Sequence, residues 1–137
     1  MARGEFYTMN IWEIRPGFQG RELEDLTERG IVPQYDKVPG VLAVKLFRID
    51  EGDDTGKYMA MTVYESREAY NRWWTQDART IQAWQDPYKT VTDRWFERAM
   101  SSHTYRATLV VDQEFQQPED VKSKTAKPNT GPIRSIF

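Results

Sequence analysis

The 137-residue chain contains no cysteine and a single histidine. The first absence excludes disulfides and thiol chemistry, and the second removes the His and Cys clusters that zinc and copper sites require. The 19 Lys and Arg residues nearly balance the 21 Asp and Glu residues, and no apolar run approaches the ~20 residues that span a membrane. The first residues also lack the pattern of a signal peptide. We therefore expect a cytoplasmic protein with no metal site, no nucleic-acid partner and no membrane partner.

Aromatic side chains are what the sequence has in quantity, at 13% of all residues. Three of the five tryptophans, Trp73, Trp74 and Trp84, fall within the fourteen-residue segment NRWWTQDARTIQAW. Such rings can build the core of a small protein, or they can line a pocket for a flat ligand. Adjacent residues on a helix diverge by ~100°, so Trp73 and Trp74 cannot both face the same side. We expect at least two of the three rings in the core, with the pocket wall as the alternative for each.

Local patterns predict the element order β-α-β-β-α-(α)-β. Ring and branched side chains predict strands over residues 5–14, 41–49, 57–65 and 103–115. Apolar residues at helical spacing predict one helical element over 20–37, which Gly30 and Pro33 should kink or split. Ser66 has the side chain of a helix N-cap, and the dipeptide that precedes Tyr88 is typical of a helix start. That last helix should continue to about Met100.

This order predicts an α+β fold of the ferredoxin-like split β-α-β plan, with an antiparallel sheet and helices on one face. Both faces of the third strand are apolar, and the sequence offers no second helical layer to cover the other face. A second copy of the chain would cover it, which predicts a homodimer. We assign residues 1–115 to this domain and residues 116–137 to a C-terminal tail, extended or disordered, or docked on a neighbouring subunit through its last apolar residues.

Three segments carry a resemblance to a known family: NIWEIRPG, VPGVLAVKLFR and YMAMTVYESREAYNRWW. Together they resemble the antibiotic-biosynthesis-monooxygenase superfamily of dimeric α-β barrels, over roughly residues 5–115. That superfamily includes cofactor-independent quinol and anthrone oxygenases as well as heme-degrading enzymes. The resemblance implies a dimeric barrel that binds a small apolar or aromatic molecule.

The heme-degrading branch is similar to this chain in one detail. It has an asparagine on the first strand, seven residues before a glycine, and a tryptophan on the second long helix, which match Asn10, Gly17 and Trp73. That branch also has a heme-ligating histidine about three turns after the tryptophan, where this chain reads IQAWQ. The one histidine, His103, lies beyond the next helix in the segment SSHT, which we interpret as a connector with an exposed histidine. We therefore expect no cofactor, and heme binding through an unusual ligand is an alternative.

The candidate site combines an amide, a cation and aromatic rings. Asn10 would orient or polarise the substrate, and a tyrosine such as Tyr64, or Arg106, would stabilise its anion. Each has a structural alternative: an amide satisfied within the core, and an arginine that is solvated or ion-paired. The residues expected to bind the substrate are aromatic: Trp12, Tyr70, Trp73, Trp74 and Trp84.

These residues favour a cofactor-independent monooxygenase that acts on a small aromatic or quinol-type compound in an apolar, tryptophan-lined pocket. Two alternatives stay open. One is a non-catalytic homodimer that binds a ligand or serves as an interaction module, and the other is a heme-binding or heme-degrading protein.

Overall fold

Among the residues that the structure describes, four segments form strands and three segments form helices. The computed structural model describes residues 4–74 and 88–117. In chain order the elements are β1 (Phe6–Ile14), α1 (Gly20–Leu26), a π-helical segment (Thr27–Ile31), α2 (Val32–Tyr35), β2 (Val41–Arg48), β3 (Tyr58–Tyr64), α3 (Arg67–Trp74), α4 (Tyr88–Arg98) and β4 (Ala99–Thr108).

The strands form one antiparallel sheet in the order β2-β3-β1-β4. Leu23 of α1 and Trp95 of α4 pack against Trp12 and Tyr58 of the sheet. At the other end of the same face, Trp73 of α3 packs against Phe6 and Tyr64 of the sheet. The predicted ferredoxin-like α+β fold, with its helices on one face, is confirmed.

The side chains that β1 and β3 direct toward the helices are large at the strand ends and small in the middle. Phe6 lies opposite Tyr64, and Trp12 lies opposite Tyr58. Each pair belongs to a separate core cluster. Between them the facing residues are short: Thr8 opposite Thr62, and Asn10 opposite Ala60. Short side chains between two bulky clusters leave space under the helices, and this space is the candidate site.

The first helical segment is not split at Gly30 or Pro33, and splitting was one of the two outcomes expected there. Backbone dihedral angles stay helical at the junctions, and residues 27–31 form π-helical turns between α1 and α2. A π-helical segment accommodates an extra residue without ending the helix. Gly30 has a packing role instead: a Cβ placed there would lie 2.9 Å from Cγ1 of Val91 on α4.

The last strand begins and ends earlier than predicted. β4 starts at Ala99, so His103 lies within the strand, and the interpretation of SSHT as a connector was wrong. Ala99 is fully buried and pairs with Ile14, the last residue of β1. At its other end β4 stops at Thr108, because its partner strand begins there with Phe6. Residues 109–117 continue without regular secondary structure.

Ser66 caps α3, as predicted: its Oγ accepts a hydrogen bond from the backbone N–H of Ala69 at 3.1 Å. Trp73 and Trp74 are adjacent in this helix, so their side chains point in different directions. Trp73 is 4% exposed and lies in the core, whereas Trp74 is only partly buried and packs at the edge of that cluster. Trp84 lies outside the described residues.

The face of the sheet that carries no helix is largely apolar. Val63 and Ile11 are buried on it, but Phe47 is 43% exposed and Tyr105 is 55% exposed. The helices described above pack on the opposite face. Within residues 4–74 and 88–117, no helix has both the length and the apolar character needed to cross a membrane.

Candidate active site

The space under the helices consists of two adjoining chambers, which we call the inner and the outer chamber. Asn10, Tyr35 and Thr62 line both of them. The inner chamber has a volume of about 150 Å³ and lies between β1, β3, β2 and α4. Its other lining residues are Trp12, Thr27, Ile31, Val44, Lys45, Leu46, Ala60, Met61, Tyr88, Thr92, Trp95 and Phe96. Most of this wall is apolar, which suits the body of a small aromatic molecule.

The outer chamber, of about 400 Å³, is more polar. Besides the three shared residues, it is lined by Thr8, Tyr64, Tyr70, Trp74, Thr104 and Arg106. The two chambers therefore join an apolar compartment to a compartment rich in hydroxyl groups, with Asn10 at their boundary.

The Asn10 amide is oriented by a residue on the neighbouring strand. Antiparallel pairing places Thr104 directly opposite Asn10. The Thr104 hydroxyl donates a hydrogen bond to Oδ1 of Asn10 at 2.8 Å. This contact occupies the amide oxygen. The amide nitrogen Nδ2, which donates, has no acceptor among the described residues. Asn10 can thus offer its N–H groups to a ligand oxygen at the chamber boundary.

Four tyrosine hydroxyls take part in hydrogen bonds around the chambers, those of Tyr35, Tyr64, Tyr70 and Tyr88. The hydroxyls of Tyr35 and Tyr88 lie 3.1 Å apart, and the Tyr64 hydroxyl accepts a hydrogen bond from Nε1 of Trp74 at 3.0 Å. Burial, and then the neighbouring Tyr88, raise the pKa of Tyr35 well above its usual value. Burial likewise raises the pKa of Tyr64 and of Tyr88. These phenols stay protonated at neutral pH, so they can donate hydrogen bonds but do not act as bases.

Arg106 is oriented by Tyr70. Its Nε donates to the Tyr70 hydroxyl at 2.8 Å, and the guanidinium carbon lies 5.7 Å from the centre of that ring. Arg106 is exposed to solvent and faces the outer chamber. The structure brings the three residues expected to act in catalysis, Asn10, Tyr64 and Arg106, to the wall of this chamber.

The tryptophans expected to bind substrate have different positions. Trp12 lines the inner chamber and Trp74 the outer one. Trp73 lies in the core cluster with Phe6 and Tyr64, and it lines neither chamber. Of the expected aromatic residues, Tyr70 also lines the outer chamber, and Trp84 lies outside the described residues.

Two buried indoles of the inner chamber have unsatisfied donors. Trp12 and Trp95 stack edge to face, with ring centres 5.5 Å apart. Neither Nε1 has an acceptor among the described residues, and the same holds for Trp73. Buried donors without partners are uncommon in folded proteins. Two of the three orphan donors thus belong to rings of the inner chamber wall.

Several residues of the site were not predicted from the sequence. Tyr35, Tyr88, Thr62 and Trp95 line the chambers, and Thr104 positions Asn10. The signal for Thr62 was present, since it is a short residue between the bulky ends of a strand. Tyr35 and Tyr88, by contrast, are 53 positions apart, and only the packing of α2 against α4 brings them together.

His103 is remote from the chambers. It pairs with Ile11 on β1. The adjacent residue Asn10 faces the helices, so Ile11 and His103 lie on the opposite face of the sheet. The His103 ring stacks on Tyr105 on the helix-free face of the sheet. Because His103 is the chain's single histidine, the chambers do not fit heme bound through the histidine of the heme-degrading branch. Among residues 4–74 and 88–117, no group of three or more His, Asp or Glu side chains is placed to hold a metal ion.

The sequence model of the antibiotic biosynthesis monooxygenase family matches residues 6–86. This range includes every element from β1 to α3. The chain belongs to this family. The match contains Asn10 and the aromatic residues of α3, whereas Arg106 and Thr104 lie beyond it. The chain matches no curated protein sequence.

Solved structures similar to this family member share its fold at low sequence identity. SnoaB from Streptomyces nogalater, a cofactor-independent oxygenase, is 16% identical with a TM-score of 0.58, and the match covers 80% of this chain and 96% of that one. HapK from Hahella chejuensis is 8% identical with a TM-score of 0.59, covering 81% and 98%. The heme-degrader MhuD from Mycobacterium tuberculosis, with two hemes bound in its active site, is 22% identical with a TM-score of 0.53, covering 80% and 99%.

Proposed function

We propose that this protein is a cofactor-independent monooxygenase of a small aromatic, quinol- or anthrone-type compound. The observation that carries the proposal is the position of Asn10, whose free amide N–H groups lie where an apolar chamber meets a hydroxyl-lined one. The ring system of the substrate would occupy the inner chamber, and its oxygen would accept a hydrogen bond from Nδ2 of Asn10.

The reaction needs an electron-rich substrate anion and molecular oxygen. Loss of a proton from the substrate gives a carbanion or phenolate, which reduces oxygen directly and forms a carbon-oxygen bond to a peroxide. Loss of water then leaves a carbonyl group: for an anthrone, the CH2 carbon becomes C=O, one oxygen atom enters the product and the other leaves as water. Four electrons leave the substrate and reach oxygen, so no further reductant takes part.

The groups that line the chambers are better suited to stabilising the substrate anion than to removing the proton that forms it. The lining contains neither a carboxylate nor a histidine within the described residues, and the raised pKa of Tyr35, Tyr64 and Tyr88 keeps these groups protonated. Hydrogen bonds from Asn10 and the charge of Arg106 would instead lower the pKa of the bound substrate. The proposal therefore restricts the substrate to compounds that ionise readily in water.

The proposed enzyme works as a homodimer. The helix-free face of the sheet is largely apolar, and it would pack against the same face of a second copy. Each chain carries both chambers on the helix side, so each subunit would hold one substrate molecule.

Oxygen uptake tests the proposal directly. We expect the purified protein, with a chelator and no added cofactor, to accelerate oxygen consumption by an anthrone or a naphthoquinol, with one atom of ¹⁸O₂ in the product. Asn10→Ala should lower kcat/KM by about 10- to 100-fold, whereas Gln113→Ala, which removes an exposed amide after β4, should not change it. No acceleration with any member of a panel of such compounds would contradict the proposal.

A further inference from the structure

The outer chamber contains a cation without a counter-ion. Among the described residues that line it, Arg106 is the single charged side chain. Two other arginines have carboxylate partners: Arg48 contacts Glu24, and Arg98 contacts Glu22. Arg106 forms no ion pair with any described residue, although it faces a chamber and has a fixed direction.

The contacts of Arg106 leave its recognition edge free. Its Nε is engaged by the Tyr70 hydroxyl, which holds the guanidinium beside that ring. The described residues provide no acceptor for the two Nη groups. A guanidinium with free Nη groups binds a carboxylate with two parallel hydrogen bonds.

Hydroxyl groups next to Arg106 would complete such a site. Thr8 lies directly opposite Arg106 in the antiparallel register, and both line the outer chamber. The strand register also sets how far the backbone of Arg106 lies from that of Asn10, whose amide is at the chamber boundary. Thr104, opposite Asn10, is two residues from Arg106, and a strand rises ~3.3 Å per residue. The backbone positions of Arg106 and Asn10 are therefore offset by ~7 Å along the strand direction.

We propose that the outer chamber is a carboxylate subsite and that the natural substrate is an aromatic acid. Its carboxylate would bind the Nη groups of Arg106 while its ring system enters the inner chamber past Asn10. This inference rests on the proposed function for the position of the ring system, and it adds the group that selects the substrate.

A matched pair of stable ligands tests the inference by calorimetry: 2-naphthoate and 2-naphthamide, which differ in charge and share their ring system. We expect the wild-type protein to bind 2-naphthoate at least tenfold more tightly, with a preference that decreases at high salt. Arg106→Gln should remove the preference and leave the affinity for 2-naphthamide unchanged. Arg72→Gln, which removes an exposed arginine outside both chambers, should have no effect.

The outcomes separate this inference from the proposed function. Equal affinities for the two ligands in the wild-type protein, or a preference that persists in Arg106→Gln, would overturn the carboxylate subsite and leave the aromatic pocket standing. Failure to bind either ligand would contradict the pocket itself. Arg106→Lys, which keeps the charge without the planar fork, should retain part of the preference and shows whether a loss in Arg106→Gln comes from a folding defect.

Discussion

At the scale of single residues, the site depends on which way one amide points. An amide at a chamber boundary can present either its carbonyl oxygen or its NH2 group to a ligand, and the two choices favour opposite chemistry. In this protein the Thr104 hydroxyl occupies Oδ1 of Asn10, so the donor side is presented. Thr104 is thus a positioning residue for a substrate oxygen.

Thr104→Val tests this role, because it keeps the shape of the side chain and removes the hydroxyl. We expect kcat/KM for an active quinol or anthrone to fall by about three- to tenfold, mostly through kcat, since one hydrogen bond contributes ~1 kcal/mol. Thr104→Ser retains the hydroxyl and should restore most of the activity. An equal loss in both variants would mean that the methyl group, and not the hydroxyl, is what matters.

The partly buried Tyr35 and Tyr88 pair makes the stability of the fold depend on alkaline pH. Burial raises the pKa of Tyr35 in the folded protein above the value of 10.0 for a free tyrosine. Below that value the phenol is protonated in both states, so its contribution to stability is fully present. As the pH rises past 10, only the unfolded chain loses the proton, and the free energy of unfolding falls by up to about 1.4 kcal/mol per pH unit.

Urea unfolding between pH 7 and pH 11 measures this effect. Tyr35→Phe should cost ~1 kcal/mol at pH 7 through the lost hydrogen bond to Tyr88, and it should make the alkaline decrease less steep. Parallel curves for wild type and Tyr35→Phe would contradict a raised pKa at this position.

At the scale of elements, the helix that covers the inner chamber depends on a close contact with α4. Gly30 lies in the π-helical segment, where an added Cβ would lie 2.9 Å from Cγ1 of Val91, a buried and rigid side chain. An alanine at this position would improve helix propensity by ~1 kcal/mol in isolation. The clash with Val91 opposes that gain, because a packed core accommodates an extra methyl group poorly.

We expect Gly30→Ala to lower the free energy of unfolding by ~1–2 kcal/mol. In a Val91→Ala background the same substitution should be neutral or stabilising, because the contact it meets has been removed. A double-mutant cycle by chemical denaturation gives the coupling. Equal costs in both backgrounds would show that the glycine is required by the backbone and not by the contact.

The elements were more predictable from the sequence than the site. The four strands and their order follow from alternating ring and branched residues, and the cap at Ser66 follows from its side chain. The end of β4 was missed, because a strand stops where its partner stops, and that partner is about 100 positions away. The contacts of the site are non-local in the same way: Asn10 and Thr104 are separated by 94 positions, and only the strand register pairs them.

At the scale of the whole molecule, the uncovered face of the sheet is the main feature that the single chain leaves unexplained. Met59 lies on this face near the start of β3, an interior strand of the sheet, and its neighbour in the register is the exposed Phe47. We expect the wild-type protein to sediment as a dimer and Met59→Glu to weaken dimerisation at least tenfold, because a carboxylate would be buried without a partner. Leu42→Glu changes an apolar residue that is 53% exposed and lies beside α2, so this variant should stay dimeric. A monomeric wild-type protein would contradict the proposed assembly.

The indole N–H resonances of the tryptophans test the central claim, that the chambers hold an aromatic ligand. In ¹⁵N-labelled protein these resonances can be assigned by single Trp→Phe variants and followed while 2-naphthamide is added. We predict large shifts for Trp12 and Trp95 of the inner chamber and for Trp74 of the outer chamber, with Trp73 of the core shifting least. Unchanged resonances of Trp12 and Trp95 at saturating ligand would contradict the account, because the space between the two core clusters would then not be a binding site.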